Sequence, residues 1–247
     1  SMGCDTDAFT CPDTELPRHS VTLEAFYIDR VEVSAAAYAA FLNAHGNECA
    51  GQPCAADSEL FGSPPILRDG ERWRAVAGRE AQAVTMVSWH GADAYCRHVD
   101  ARLCSESEWE RAARGPCDAL GGCEGQVNLY PWGNIDPTCE RVHMMATEKG
   151  CDTGQPADIG SYPAGQSAEG VMDLAGNAWE WVADAWHPTY DGHPQDGTVW
   201  LNETTDLRVV RGGGLGSLAD TLRSAHRWNG GAYDLGPDYG FRCCRDL

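Results

Sequence analysis

Residues 20–34, SVTLEAFYIDRVEVS, alternate apolar and polar positions. Val21, Leu23, Ala25 and Tyr27 share one parity, the period of a half-buried strand. Ser34 then precedes AAAYAAFLNAHG, where Tyr38, Phe41 and Leu42 fall at helical spacing and Gly46 ends the run. A second helix is predicted after Ser88, with Ala92, Tyr95, Cys96 and Val99 forming one apolar stripe. Ser105 and Glu108 have the spacing of a capping box, in which each side chain takes the other residue's free backbone N–H. They open a third, short helix, WERAARG. Residues 47–83 are irregular apart from a short strand near Trp73, 115–170 read as loops, and 207–247 read as strand, loop and strand. No repeat or long linker interrupts this order. Residues 1–247 are therefore read as a single domain of short strands, few helices and many loops. Loops this long are expected only where they bind something or are tied down.

Composition narrows the function. A chain of 247 residues with nine Trp and 43% hydrophobic positions can bury a sizeable core. Its formal net charge of −19 repels phosphate backbones, so no nucleic acid is expected as a partner. No apolar run approaches the roughly 18–20 residues that a membrane-spanning helix needs. What remains is a protein or small-molecule ligand.

Twelve cysteines change the picture more. No C-x-x-C occurs, which argues against zinc ribbons and thioredoxin-like sites. Four pairs lie close in sequence among Gly, Pro, Asp or Asn: Cys4/Cys11, Cys49/Cys54, Cys117/Cys123 and Cys139/Cys151. Each reads as a disulfide-stapled loop. Such use of cysteine implies an oxidising, extracytoplasmic setting: periplasm, cell surface or secreted.

Six blocks, VTLEAFYIDRVEVSAAAYAAFL, VTMVSWHGADAYCRHVDARLCSESEWERAARG, YPWGN, GVMDLAGNAWEWVAD, RVVRGGG and YGFRCC, occur in the order found in formylglycine-generating enzymes. The chain resembles that family, the sulfatase-modifying factors, from about Met2 to Arg245. The resemblance implies an α+β, C-type-lectin-like fold, loop-rich and poor in regular secondary structure. It also implies a disulfide between Cys96 and Cys243. By subtraction Cys104 and Cys244 are left for a parallel second bridge, the alternative being that Cys244 faces outward and pairs elsewhere. The family's aerobic members bind copper through two cysteines between the RGG and GFRC blocks, a reasonable use of soft sulfur ligands. Here residues 212–242 hold no cysteine, which argues against copper and against formylglycine formation. Ser217 or Ser224 stands near the place of a lost cysteine, but a hydroxyl is a hard ligand and no substitute.

In DLAGNAWEW the resemblance implies a calcium site, with Asp173 and Glu180 supplying carboxylates and Gly176 and Ala178 supplying carbonyls. Calcium takes six to eight hard oxygens, which such a set can begin to provide. Trp179 and Trp181 are read as core anchors. The eight histidines, among them His19, His187, His193 and His226, form no H-x-x-x-H or H-x-x-E-H motif. The related iron-dependent sulfoxide synthases draw histidines from an added helical domain that this sequence lacks.

The expected function is a calcium-stabilised ligand- or protein-binding domain that uses its C-terminal loops. Leu215, Ser217, His226, Trp228, Tyr233 and Tyr239 are its candidate contact residues, on a stretch rich in Gly, Ser, Asn and aromatic residues. Two alternatives stand beside it: an oxidoreductase of the same family with different chemistry, and a retroelement-diversified lectin-like display protein.

Overall fold

A computed structural model describes residues 1–4, 10–57, 63–115, 128–145, 151 and 154–247. Three helices carry the local signals read above. Helix α1, Ala35–His45, starts where the Ala37 N–H donates to the Ser34 hydroxyl. Helix α2, Trp89–His98, is capped the same way by Ser88. Helix α3, Glu106–Arg114, has both halves of its capping box in place. A cap of this kind is worth about 1 kcal/mol.

The strands are shorter and more scattered than the pattern suggests. They are β1 (Phe26–Ile28), β2 (Ile66–Asp69), β3 (Arg72–Ala75), β4 (Arg102–Leu103), β5 (Trp179–Ala185), β6 (Leu207–Arg211), β7 (Arg227–Gly231), β8 (Tyr239–Phe241) and β9 (Cys243–Asp246). The strand expected over 20–34 shrinks to three residues, and its parity is reversed. Tyr27 is exposed, whereas Phe26 and Ile28 pack on the cluster around Cys104 and Cys244. The rest of that stretch bonds to unrelated segments: the Thr22 N–H donates to Gln195 O and the Val33 N–H to Phe241 O.

Strands β7, β6, β5 and β8 form one sheet in that order, with β5–β8 parallel and the other pairs antiparallel. One face of this sheet, with Trp181 and Val210, packs with α1 and α2 through Tyr38, Phe41, Ala92 and Phe241. The other face, with Val182 and Val209, packs on α3 through Trp109, Ala112 and Ala113. Trp181 is fully buried and donates its indole N–H to Val87 O at 2.9 Å. Trp179 is only partly buried. A second sheet runs β1–β9–β4.

Disulfides tie these layers. Cys96–Cys243 joins α2 to β9, and Cys104–Cys244 joins the start of α3 to the same strand. Cys4–Cys11, Cys49–Cys54 and Cys139–Cys151 close local loops. Cys117 and Cys123 lie outside the described residues.

Candidate functional site

The stretch from β6 to β7 is held from beneath by buried arginines. Arg211, fully buried, donates to Glu106 at 3.2 Å, to Glu110, and to the carbonyls of Ser224 and Ala225 at 2.8 and 3.1 Å. Arg227 grips both oxygens of Glu106 at 2.8 and 2.7 Å. Arg223 grips both oxygens of Glu15 at 2.6 and 2.7 Å, and His226 Nδ1 lies 3.3 Å from the same carboxylate. Burial opposes ionisation of Glu15, but His226 and Arg223 outweigh it and hold the carboxyl at about 2. Paired this way, the buried charges fix one conformation for the segment; leaving any one of them alone would be costly.

On this base sits a glycine turn. Gly213 has φ +81, a backbone conformation that disfavours any side chain. A Cβ there would meet Ser217 Oγ at 2.8 Å and Leu222 Cδ2 at 3.0 Å. Gly214 is required for a different reason: a Cβ would strike Asp238 and the indole of Trp179. Asp238 is partly buried, has no cationic partner among the described residues, and is pushed upward in pKa by that burial.

The six candidate contact residues do not form one surface. Ser217 is buried, and its hydroxyl accepts from the Gly214 N–H at 2.9 Å, so it closes the turn. His226 is tied to Glu15. Tyr239 lies edge-on to Trp181 at 4.9 Å. Leu215 is partly buried. Trp228 and Tyr233 are the exposed ones, at 55% and 45% of their full accessibility. Tyr233 lies against His90 at 4.7 Å, and the guanidinium of Arg208 covers Trp89 at 4.2 Å. His90, Trp89 and Arg208 escape the sequence reading because they come from α2 and β6 and meet Tyr233's loop only in three dimensions.

In the Asp173 loop, Glu180 is already engaged by other side chains. Both Glu180 oxygens are occupied: Arg242 binds them at 2.6 and 2.7 Å, and Trp109 donates its indole N–H at 2.8 Å. Glu180 therefore does not fit the calcium set expected from the sequence; it neutralises a buried arginine instead. Asp173, at φ +58, accepts the Gly160 N–H at 2.6 Å. The carboxylate that responds to it is Glu32, which no sequence signal marks. Asn177 donates to one Glu32 oxygen at 2.7 Å, and the other is buried without a partner. Burial, then the charges of Asp173 and Glu180, push the Glu32 carboxyl far above the usual range.

A family model, the sulfatase-modifying factor enzyme 1-like domain, matches residues 1–247. The chain belongs to this family. Its C-type-lectin-like fold accords with the short strands and long tethered loops described above. This sulfatase-modifying-factor domain is 32% identical over 231 residues to the hercynine oxygenase of Mycolicibacterium thermoresistibile, which covers 87% of the chain and 49% of the oxygenase. It is 31% identical over 277 residues to the formylglycine-generating enzyme of Streptomyces coelicolor, covering 95% of the chain and 82% of that enzyme. The structure of PvdO from Pseudomonas aeruginosa superposes with a TM-score of 0.76 at 28% identity, over all of this chain and 90% of the other. The chain thus spans about half the length of the oxygenase it matches.

Within this sulfatase-modifying-factor domain, sulfur is absent from the glycine turn. Every described cysteine is in a disulfide, and Ser217 and Leu222 fill the space under Gly213.

Proposed function

We propose that the chain is a ligand-binding domain of the sulfatase-modifying-factor family without cysteine-based oxidation, working outside the cytoplasm on a protein or small-molecule ligand. The observation that carries this reading is the glycine turn. Ser217 and Leu222 occupy it, and no cysteine stands anywhere in residues 212–242. The contact surface is the exposed pair Trp228 and Tyr233, with His90 beside Tyr233. Aromatic faces of this kind supply large contact area at low entropic cost. Five disulfides among the described residues support the extracytoplasmic setting.

Calcium enters this reading only at Asp173, with Glu32 as the second carboxylate in place of Glu180. The unpaired buried oxygen of Glu32 supports that choice.

One observation favours a second reading, an enzyme of the same family with other chemistry. Asp238 is a partly buried carboxyl of raised pKa against Gly214 and Trp179, suited to moving a proton.

The binding reading is tested by screening sugars and peptides through intrinsic tryptophan fluorescence. A ligand whose signal is lost in W228A and Y233A, with Tm unchanged, supports it. Ligands that bind both variants as they bind the wild type place the site elsewhere and overturn it.

A further inference from the structure

A cluster of aromatic rings where the N-terminal segment meets the loop after β5 plays no part in the reading above. His19 and His193 lie with ring centroids 4.7 Å apart and planes at 52°. Tyr190 touches both, at 5.0 and 5.5 Å. Trp200 meets His193 edge to face at 5.1 Å.

The ring nitrogens decide what the pair can do. His19 Nδ1 is 2.9 Å from the carbonyl of Pro17, a contact that requires the proton on Nδ1. The lone pair is then on Nε2, which is buried and has no hydrogen-bond partner. His193 is only 6% exposed, and neither of its ring nitrogens has a hydrogen-bond partner. The Pro194 carbonyl lies beside the ring without completing one. Burial pushes the His193 imidazole below the ordinary histidine pKa. An imidazole held by a backbone carbonyl at one nitrogen, with the other nitrogen free, is the usual arrangement of a metal-ligating histidine. Glu106 accepts the Tyr190 hydroxyl at 3.1 Å; its charge acts on His193 together with the opposing charge of its partner Arg227.

Other groupings do not compete. His45 with Cys49 and Cys54 is the one three-residue cluster of metal-binding side chains among the described residues, and its sulfurs are joined in a disulfide. His187 also has a buried, unpaired Nε2, but it stacks on Trp200 at 3.4 Å and does not complete a triad with the pair. A groove of about 540 Å³, lined by Leu16, Pro17, Arg18, Thr189 and Asp191 among others, opens next to His19 and Tyr190 along the chain.

We propose that His19 and His193 form a site for one divalent transition-metal ion of the zinc class, bound through one ring nitrogen of each imidazole, with its remaining positions open to water or a small ligand. Imidazole ligation suits zinc, nickel, copper and cobalt and disfavours calcium and magnesium. The site pins the N-terminal segment to the loop after β5, and it does not depend on the ligand-binding reading.

The test titrates the metal-stripped full chain with Co2+, read by its visible absorption, and with Zn2+, read by calorimetry. One equivalent of each is expected to bind. H19A and H193N each lose affinity by about tenfold or more, whereas H98A, at an exposed position, binds as the wild type does. Zinc is also expected to raise the Tm of the wild type and not that of H19A, which separates lost ligation from lost folding. Absence of stoichiometric binding, or binding that survives in H19A and H193N, overturns the proposal.

Discussion

Replacing Glu15 by Gln removes the one carboxylate that holds both Arg223 and His226. The Glu15 carboxyl sits at about 2 in the fold, below its ordinary value of 4.5. Its contribution is therefore complete above pH 4.5 and is lost as pH falls towards 2. A shift of that size is worth roughly 3 kcal/mol. Urea melts at several pH values should show E15Q less stable by about that much at pH 7, with the gap closing in acid; a gap independent of pH would contradict the assignment. Asp184 acts in the opposite sense. Burial, then the charge of Glu106, pushes its carboxyl to about 7, so it costs stability as pH rises from its unfolded value through 7. Glu180 belongs to the same class of buried partner. E180Q should cost about 3 kcal/mol with or without millimolar calcium, because it strands Arg242. E32Q should instead abolish any rise of Tm that calcium produces. If E180Q abolishes that rise and E32Q leaves it intact, the roles are reversed. Neither the pairing of Glu180 with Arg242 nor the unpaired oxygen of Glu32 was legible from the chain. An acid in DLAGNAWEW looks the same whether it meets a cation or an arginine from YGFRCC, and only the fold brings Arg242 to Glu180.

Elements differ in how far local chemistry determines them. All three helices start where Ser34, Ser88 and Ser105 mark them, because a cap is an interaction between residues three apart. Strand β1 was overestimated because alternation says nothing about the partner. Only Phe26–Ile28 find β9, and the rest of 20–34 bonds to other segments. The burial of Ser217 was not legible, since the Gly214 N–H it accepts is presented by the turn itself. The two long disulfides make a testable pair. They span 147 and 140 residues but start and end close together. While one is present, the other closes only the short ring through 96–104 and 243–244. Chain entropy then assigns about 2–3 kcal/mol to the loss of either bridge alone and about 5 kcal/mol more to the loss of the second. Denaturation of C96A/C243A, C104A/C244A and the quadruple variant should show this non-additivity. Equal, additive losses would mean that the bridges act through strain or packing instead.

For the whole molecule, family membership and loop-rich architecture could be expected from six sequence blocks in order, and the match over residues 1–247 establishes the family. Which of the six candidate contact residues face solvent could not be expected: Trp228 and Tyr233 stay exposed while Ser217, His226 and Tyr239 turn inward to hold the loops. A fold can keep its scaffold and change its chemistry, so function has to be argued from the site. The central claim is that this scaffold works without the oxidation that a cysteine pair would perform. Incubation of the full chain with a cysteine-containing sulfatase-motif peptide, Cu(I), a reductant and oxygen tests it most directly, with peptide conversion read by mass spectrometry. The expected result is no conversion above a protein-free copper blank, in the wild type and in S217A alike. Catalytic turnover of the peptide by the wild-type chain would contradict the account.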